Sequence, residues 1–114
     1  MQIHTHDYGP VSVLALEGRI DGSHAASVES AFLQLTGQGR NLFVFDLSGL
    51  QYISSAGLRV VLTAAKKLRA LQGRMICSSL NEQVRDIFEM SGFLTILEIS
   101  DSRDEAIARL SGQS

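Results

Sequence analysis

The sequence predicts an α/β domain with a mixed, mostly parallel β-sheet, an N-terminal antiparallel hairpin and about four helices. Two observations favour this class. Short apolar runs rich in strand-forming residues alternate with longer segments whose apolar residues recur at three- and four-residue steps. In addition, turn residues at 7–10, including the only proline, separate two short strand-like segments. Strands that alternate with helices usually pair in parallel, because each helix carries the chain back to the same edge of the sheet.

The first third of the chain is predicted to form two strands, a loop and a helix. The strands are residues 2–7 and 11–16, and the loop after them is residues 18–23. Ser23 is expected to cap the first helix, because a serine oxygen accepts a hydrogen bond from a backbone N–H of the first turn. Gly37 is expected to end this helix, whose apolar face is Ala25, Val28, Phe32 and Leu35.

The middle third contains a short buried strand followed by an amphipathic helix. Residues 42–46 form the predicted strand, and turn residues at 46–49 end it. Residues 57–71 form the predicted helix, whose apolar residues are Leu58, Val61, Leu62, Ala65 and Leu68. Two adjacent serines, Ser54 and Ser55, therefore stand at the start of this helix.

The next segment is predicted to form a strand and a third helix. Residues 74–78 form the strand, which buries Cys77 as a small core residue. Asn81 is the expected cap of the helix, which packs through Val84, Ile87 and Phe88.

The C-terminal segment is predicted to form one more strand and one more helix. Gly92 is expected to end the third helix in a left-handed conformation, with the ring of Phe93 folding back onto the last turn. Residues 94–99 form the last predicted strand. Ser102 and Glu105 are spaced as a capping box for the final helix, which packs through Ala106, Ile107 and Leu110.

Length and composition limit what the chain can be. Its 114 residues suit one domain spanning 1–114, and 45% hydrophobic with 19% charged residues is typical of a folded globular protein. A net charge of −2 offers no electrostatic basis for direct nucleic-acid binding. The sequence has no apolar run long enough to insert in a membrane and no signal-peptide pattern, and a single cysteine excludes an internal disulfide. We therefore expect a cytoplasmic protein.

Motifs for catalysis, metals and cofactors are missing from the sequence. Residues 37–39, Gly-Gln-Gly, are too short for a dinucleotide fingerprint, and Ser55 does not lie in the Gly-x-Ser-x-Gly elbow of hydrolases. His4 and His6 alternate on a strand, but a third metal ligand is not evident. We expect a protein that is not an enzyme and that needs no metal or cofactor.

The two serines at the helix start allow two interpretations. Unpaired N–H groups and the positive end of the helix dipole make this place favourable for an anion, so a phosphate on a hydroxyl would be tolerated there. Serine is also a preferred N-cap, so simple capping is the competing interpretation. With two serines in a row, one can cap the helix while the other remains free.

Other polar residues are predicted to border the serine loop. Asp21 and Asp46 each follow a predicted strand, at the end where ligands gather in open α/β sheets. Each carboxylate could bond to nearby turn N–H groups, or it could shape the surface around the Ser55 hydroxyl. Arg59 and Thr63 lie on the outer face of the following helix, where a solvated surface and a partner interface are both possible.

Four segments, in order, carry a resemblance to a known family. They are LALEGRID at 14–21, DLSGLQYISSAGLRVVL at 46–62, LNEQVRDIFEMSGF at 80–93 and SRDEAIARL at 102–110. Together they resemble the STAS domain family, in particular the bacterial anti-sigma factor antagonists. The resemblance implies a STAS-like single domain in which a kinase that is also an anti-sigma factor phosphorylates one serine, and a serine phosphatase of the PP2C type removes the phosphate by hydrolysis.

The resemblance also assigns expected roles within the serine loop. Aligning Gly57 and Leu58 with the Gly-Leu of the family pattern Asp-Ser-Ser/Thr-Gly-Leu places the modified serine at Ser55. Ser54 then stands at the position of the family's Asp and is a competing acceptor. Ala56 replaces the second hydroxyl of the pattern.

These observations leave two main hypotheses. In the first, the protein is an anti-sigma factor antagonist that binds the kinase when unmodified and is inactivated by phosphorylation at Ser55. In the second, it is a constitutive STAS interaction subunit of a membrane transport assembly, such as a lipid-transport ATPase complex, and the serines only cap the helix. A nucleotide- or small-molecule-binding module is a weaker third hypothesis, since it depends on fold analogy alone.

Overall fold

A computed structural model describes residues 1–112, and across them five strands form one sheet in the order β1-β2-β3-β4-β5. The first pair is antiparallel and the other three pairs are parallel. This confirms the predicted mixed sheet with an N-terminal hairpin. The strands are β1 (Gln2–Tyr8), β2 (Val11–Ile20), β3 (Leu42–Ile53), β4 (Arg74–Ser78) and β5 (Glu98–Ser100).

The helices cover both faces of the sheet. In the described residues they are α1 (Gly22–Thr36), α2 (Ser55–Ala70), α3 (Glu82–Met90) and α4 (Arg103–Leu110). Alternate residues of β3 divide between two cores, because successive side chains of a strand point to opposite faces. Phe43 and Phe45 join the larger core with the buried faces of α1, α2 and α3, whereas Val44 joins a smaller core beneath α4. The helices α1, α2 and α3 therefore lie on one face of the sheet and α4 lies on the other.

The junction between β2 and α1 differs from the prediction. Residues 18–23 were expected to form a loop, but β2 continues to Ile20 because its last residues pair with the last residues of β3. The helix then begins at Gly22, and Asp21 rather than Ser23 is its N-cap. Pairing between strands outweighs the local turn tendency of this segment.

The strand β3 is also longer than predicted. Residues 46–49 were expected to end it, but it continues to Ile53. The ladder to β2 accommodates the turn-like residues through irregular register between Ala15 and Glu17. Gly49 lets β3 pass close to the side chain of Glu17 on β2, because a Cβ at this residue would lie 2.7 Å from Cγ of Glu17. Glycine inside a strand often marks such a place.

The third helix and its C-terminal end match the sequence analysis. The Asn81 side chain accepts a hydrogen bond from Val84 N, which confirms the predicted cap. Gly92 is left-handed with φ 76°, and the rings of Phe88 and Phe93 lie 5.8 Å apart, which confirms the predicted C-terminal turn. Burial of Cys77 is also confirmed, and desolvation raises the pKa of its thiol to about 12.

The last strand and the last cap differ in part from the prediction. The strand expected at 94–99 is a 3₁₀ turn (Phe93–Thr95) followed by the three residues of β5. Ser102 does cap α4 by accepting from Glu105 N, but the Glu105 carboxylate pairs with Arg109 one turn on. Within residues 1–112, no helix is both long and apolar enough to cross a membrane.

Candidate functional site

The ends of β2 and β3 bring two helix N-termini to one edge of the sheet. Ile20 and Ile53 are paired in the ladder, and Ser54 N donates a hydrogen bond to Ile20 O at 2.8 Å. The chain enters α1 directly after Asp21 and α2 directly after Ser54. Asp21 and the two serines therefore lie at the same edge, as expected for the carboxyl ends of parallel strands.

The two serines have different environments. Ser54 is the N-cap of α2, and its Oγ accepts a hydrogen bond from Gly57 N at 3.2 Å. It is half-buried, whereas Ser55, the first residue of the helix, is exposed. Since Ser54 supplies the cap, the Ser55 hydroxyl is not needed for it. Ser54 therefore caps the helix, and Ser55 is the exposed serine of the pair.

Gly57 sets the position of the serine loop. It is buried, and a Cβ at this residue would lie 2.7 Å from Cγ1 of Ile53 and 2.9 Å from Cγ2 of Ile20. Only glycine lets the first turn of α2 approach the ends of β2 and β3 this closely. The glycine of the sequence pattern thus has a packing function, because it lets the first turn of α2 lie against the sheet.

Asp21 has the turn chemistry that was one of its two predicted roles. Its Oδ1 accepts hydrogen bonds from Ser23 N at 2.9 Å and from Ser23 Oγ at 2.6 Å, and it lies 3.1 Å from Nδ1 of His24. These contacts, led by the bond from the Ser23 hydroxyl, lower the pKa of the Asp21 carboxyl. The exposed carboxylate caps α1 at the edge that also carries the serines.

Asp46 does not follow a strand, and that part of the sequence analysis is wrong. It lies inside β3, is 6% exposed and points with Val44 toward the face covered by α4. Its carboxylate accepts from Ser48 N at 3.0 Å and lies 3.5 Å from Nη1 of Arg103. The helix α2 packs on the opposite face of the sheet, so the structure does not bring this carboxylate to the Ser55 hydroxyl.

The exposed face of α2 continues from the serine loop. Arg59 and Thr63 are exposed, as predicted, and lie one and two turns beyond Ser55. The buried face is shifted from the predicted one and consists of Gly57, Val60, Val61, Ala64 and Leu68. Leu58 and Leu62, assigned to that face from the sequence, are half-buried beside it, as is Ala56 at the helix start. Apolar surface therefore borders the exposed face.

One pair at this edge was missed by the sequence analysis. The guanidinium carbon of Arg19 lies 4.5 Å from the ring centre of Tyr52, a cation–π distance, and Tyr52 is 36% exposed. The two residues are neighbours because β2 and β3 pair through this region. The sequence placed Arg19 in a loop, so no local signal could have linked it to Tyr52.

One histidine of β1 lies beside a carboxylate of the neighbouring strand. His4 Nε2 lies 3.4 Å from a carboxylate oxygen of Glu17 on the neighbouring strand. Within residues 1–112 there is no group of three or more His, Cys, Asp or Glu side chains placed to hold a metal ion.

Comparisons with known proteins agree with the fold. The profile of the STAS domain matches residues 2–106. BtrV of Bordetella bronchiseptica, whose name assigns it to the anti-sigma factor antagonists, is 42% identical over 96 residues, which are 84% of this chain and 83% of BtrV.

Solved structures of SpoIIAA, named as an anti-sigma factor antagonist and as a Bacillus cell fate determinant, are similar to this chain. The unphosphorylated form has a TM-score of 0.86 at 23% identity and covers 97% of each chain. The phosphorylated form has a TM-score of 0.77 at 22% identity and covers 95% of this chain and 98% of SpoIIAA. At these identities the likeness establishes the fold. From the profile match and the BtrV relative, the chain belongs to the STAS domain family, among relatives named as anti-sigma factor antagonists.

Proposed function

We propose that this protein is an anti-sigma factor antagonist that acts, without enzymatic activity of its own, as a phosphorylation switch at Ser55. The observation that carries the proposal is the exposure of Ser55, the first residue of α2, beside a neighbour that already caps the helix. A modifying enzyme can reach this hydroxyl, and its use leaves the cap intact.

Ser54 is the weaker of the two acceptors. Its Oγ accepts a hydrogen bond from Gly57 N and the residue is half-buried, so transfer of a phosphate to this oxygen requires the first turn to open. Loss of a cap costs about 1 kcal/mol. Ser55 carries no such cost, and we assign the modification to it.

The proposed partners are a serine kinase that is also an anti-sigma factor and a serine phosphatase of the PP2C type, in the cytoplasm. The unmodified protein docks onto the kinase through the serine loop and the exposed face of α2, including Arg59 and Thr63, with Asp21 at the border. This docking releases a sigma factor. The names of the relatives and the adjacency of these residues support the proposal.

Phosphorylation changes the docking surface through charge. A phosphate adds roughly −1.5 to −2 charge at neutral pH. The helix N-terminus tolerates it locally, because α2 has no acidic residue in its first turn. In the interface the same charge must be desolvated, which disfavours docking. Switches of this kind typically couple two states by about 1–3 kcal/mol, or roughly 5- to 150-fold in affinity.

The test is to incubate serine variants with the cognate kinase and ATP and to measure intact mass. Ser55→Ala should take up no phosphate and still bind the kinase, whereas the matched Ser54→Ala variant should be modified as fully as wild type. Ser55→Asp should bind at least about fivefold more weakly in calorimetry. Full modification of Ser55→Ala would show that the site is misassigned. Equal kinase binding by wild type, Ser55→Ala and Ser55→Asp would favour the constitutive interaction subunit instead.

A further inference from the structure

We propose that Arg59 is the intramolecular ligand of a phosphate on Ser55, so that phosphorylation also withdraws an exposed cation from the docking face. This inference rests on the proposed function, since it concerns the modified state of the same site. It assigns to Arg59 a role in the phosphorylated protein, in addition to its place on the docking surface.

The helix places the two groups together. Arg59 follows Ser55 by four residues in α2, and both side chains are exposed. Residues at this spacing are neighbours on a helix surface, with Cβ atoms roughly 5–6 Å apart, and an acidic group placed before a basic one is the favourable order. The planar guanidinium also matches two phosphate oxygens at once, which a lysine ammonium does not.

Arg59 is available for this contact. Within residues 1–112 it takes part in no ion pair. The sequence of α2 contains no Asp or Glu, so no carboxylate on the same helix competes for the guanidinium. The cap Ser54 is neutral as well. A phosphate on Ser55 would be the only anionic group on this helix.

Other cations near the site are less well placed. Arg19 lies at the end of β2, but its guanidinium stacks on the ring of Tyr52 at 4.5 Å. A contact with the phosphate would require this cation–π pair to break. Lys66 lies on nearly the same side of α2 as Ser55 but three turns away, about 16 Å along the helix axis. Of these three residues, only Arg59 is both one helical turn from Ser55 and, in the described part of the chain, without an ion-pair or stacking partner.

The consequence is a double change at the docking face. In the unmodified protein, Arg59 offers a positive charge to an acidic group of the partner. In the modified protein the phosphate binds the guanidinium, so Arg59 is no longer available to the acidic group of the partner. The partner also meets the phosphate–guanidinium pair, whose net charge is negative. One modification therefore removes an attraction and adds a repulsion.

The experiment uses the full chain with phosphoserine incorporated at position 55 during translation, so that no kinase is required. Phosphorus NMR titration would measure the second pKa of the phosphoserine in wild type, Arg59→Gln, Lys66→Gln and Arg19→Gln. Loss of an exposed ion pair of this type should raise that pKa by about 0.3 unit in Arg59→Gln. The matched Lys66→Gln variant, which removes the same charge, should leave it unchanged.

The nearby Asp21 and His24 of α1 are the same in all four proteins, so their contribution is common to all of them. Equal pKa values in wild type and Arg59→Gln would overturn the inference. An effect of Lys66→Gln as large as that of Arg59→Gln would also overturn it, because it would indicate general screening, and a larger effect of Arg19→Gln would assign the contact to the other arginine. The proposed function fails separately, if the kinase does not modify Ser55.

Discussion

The two strand-to-helix junctions at the carboxyl edge of the sheet have the same architecture and different chemistry. After β2, the charged side chain of Asp21 caps α1, Ser23 donates hydrogen bonds to its carboxylate, and Nδ1 of His24 lies 3.1 Å from it. After β3, the neutral side chain of Ser54 caps α2, and the next hydroxyl is left exposed. One helix N-terminus thus already has an anion, whereas the other has none, and under the proposed function a phosphate on Ser55 would supply it. Under the proposed function, only one of these two similar junctions acts as a switch.

The largest expected effect is a difference in stability between glycine substitutions at the two junctions, because only one of these glycines is tightly packed. Gly57→Ala places a Cβ within 3 Å of two isoleucine side chains, and overpacking of this kind should lower the free energy of unfolding by about 2 kcal/mol. The matched change at the other junction is Gly22→Ala, where a Cβ meets no atom within 4 Å. It should leave the stability unchanged or slightly higher. Urea unfolding of both variants checks this, and equal losses would contradict the packing role of Gly57.

A smaller difference in stability is expected between alanine variants of the two serines. Ser54→Ala removes the oxygen that accepts from Gly57 N, so we expect a loss of about 1 kcal/mol in the free energy of unfolding. Ser55→Ala removes an exposed hydroxyl and should change the stability by less than about 0.5 kcal/mol. The measurement is again the urea midpoint. If Ser55→Ala were the more damaging variant, the division of capping and exposure between the serines would be wrong.

The smallest effect concerns the charge at the first junction. The folded protein lowers the pKa of Asp21 below its ordinary value of 3.8, so the charged cap stabilises the fold above that pH. This contribution is lost as the pH falls through the lower, folded-state pKa. Asp21→Asn keeps a capping oxygen without the charge. It should be less stable than wild type at neutral pH, and the two urea midpoints should converge in acid. A difference that persists unchanged in acid would exclude the charge as its cause.

Local signals predicted the parts of the fold that local chemistry determines. Asn81 and Gly92 were identified because a cap and a left-handed turn depend on a few neighbouring residues. The position of Ser55 at a helix start followed from the change of apolar period after residue 57. The division of roles between Ser54 and Ser55 required the actual cap geometry, which the sequence left open.

Features that depend on distant pairing were not predictable in the same way. Residues 46–49 have the composition of a turn, yet pairing with β2 keeps them in a strand. Asp46 was consequently assigned to the wrong place, since a residue inside a strand points to one face of the sheet, whereas a residue after its end lies in the loop at the sheet edge. The contact of Arg19 with Tyr52 has the same origin, because only strand register brings the two residues together.

The burial of Cys77 has a practical consequence. It is the only cysteine in the chain, it has no exposed surface, and its thiol stays protonated at neutral pH. Maleimide dyes and spin labels react with accessible thiolates, so the native protein should remain unlabelled. A cysteine introduced on the outer surface of α2 would then be the single attachment point for a reporter. Docking of a partner could be followed by fluorescence without first removing a native residue from the core.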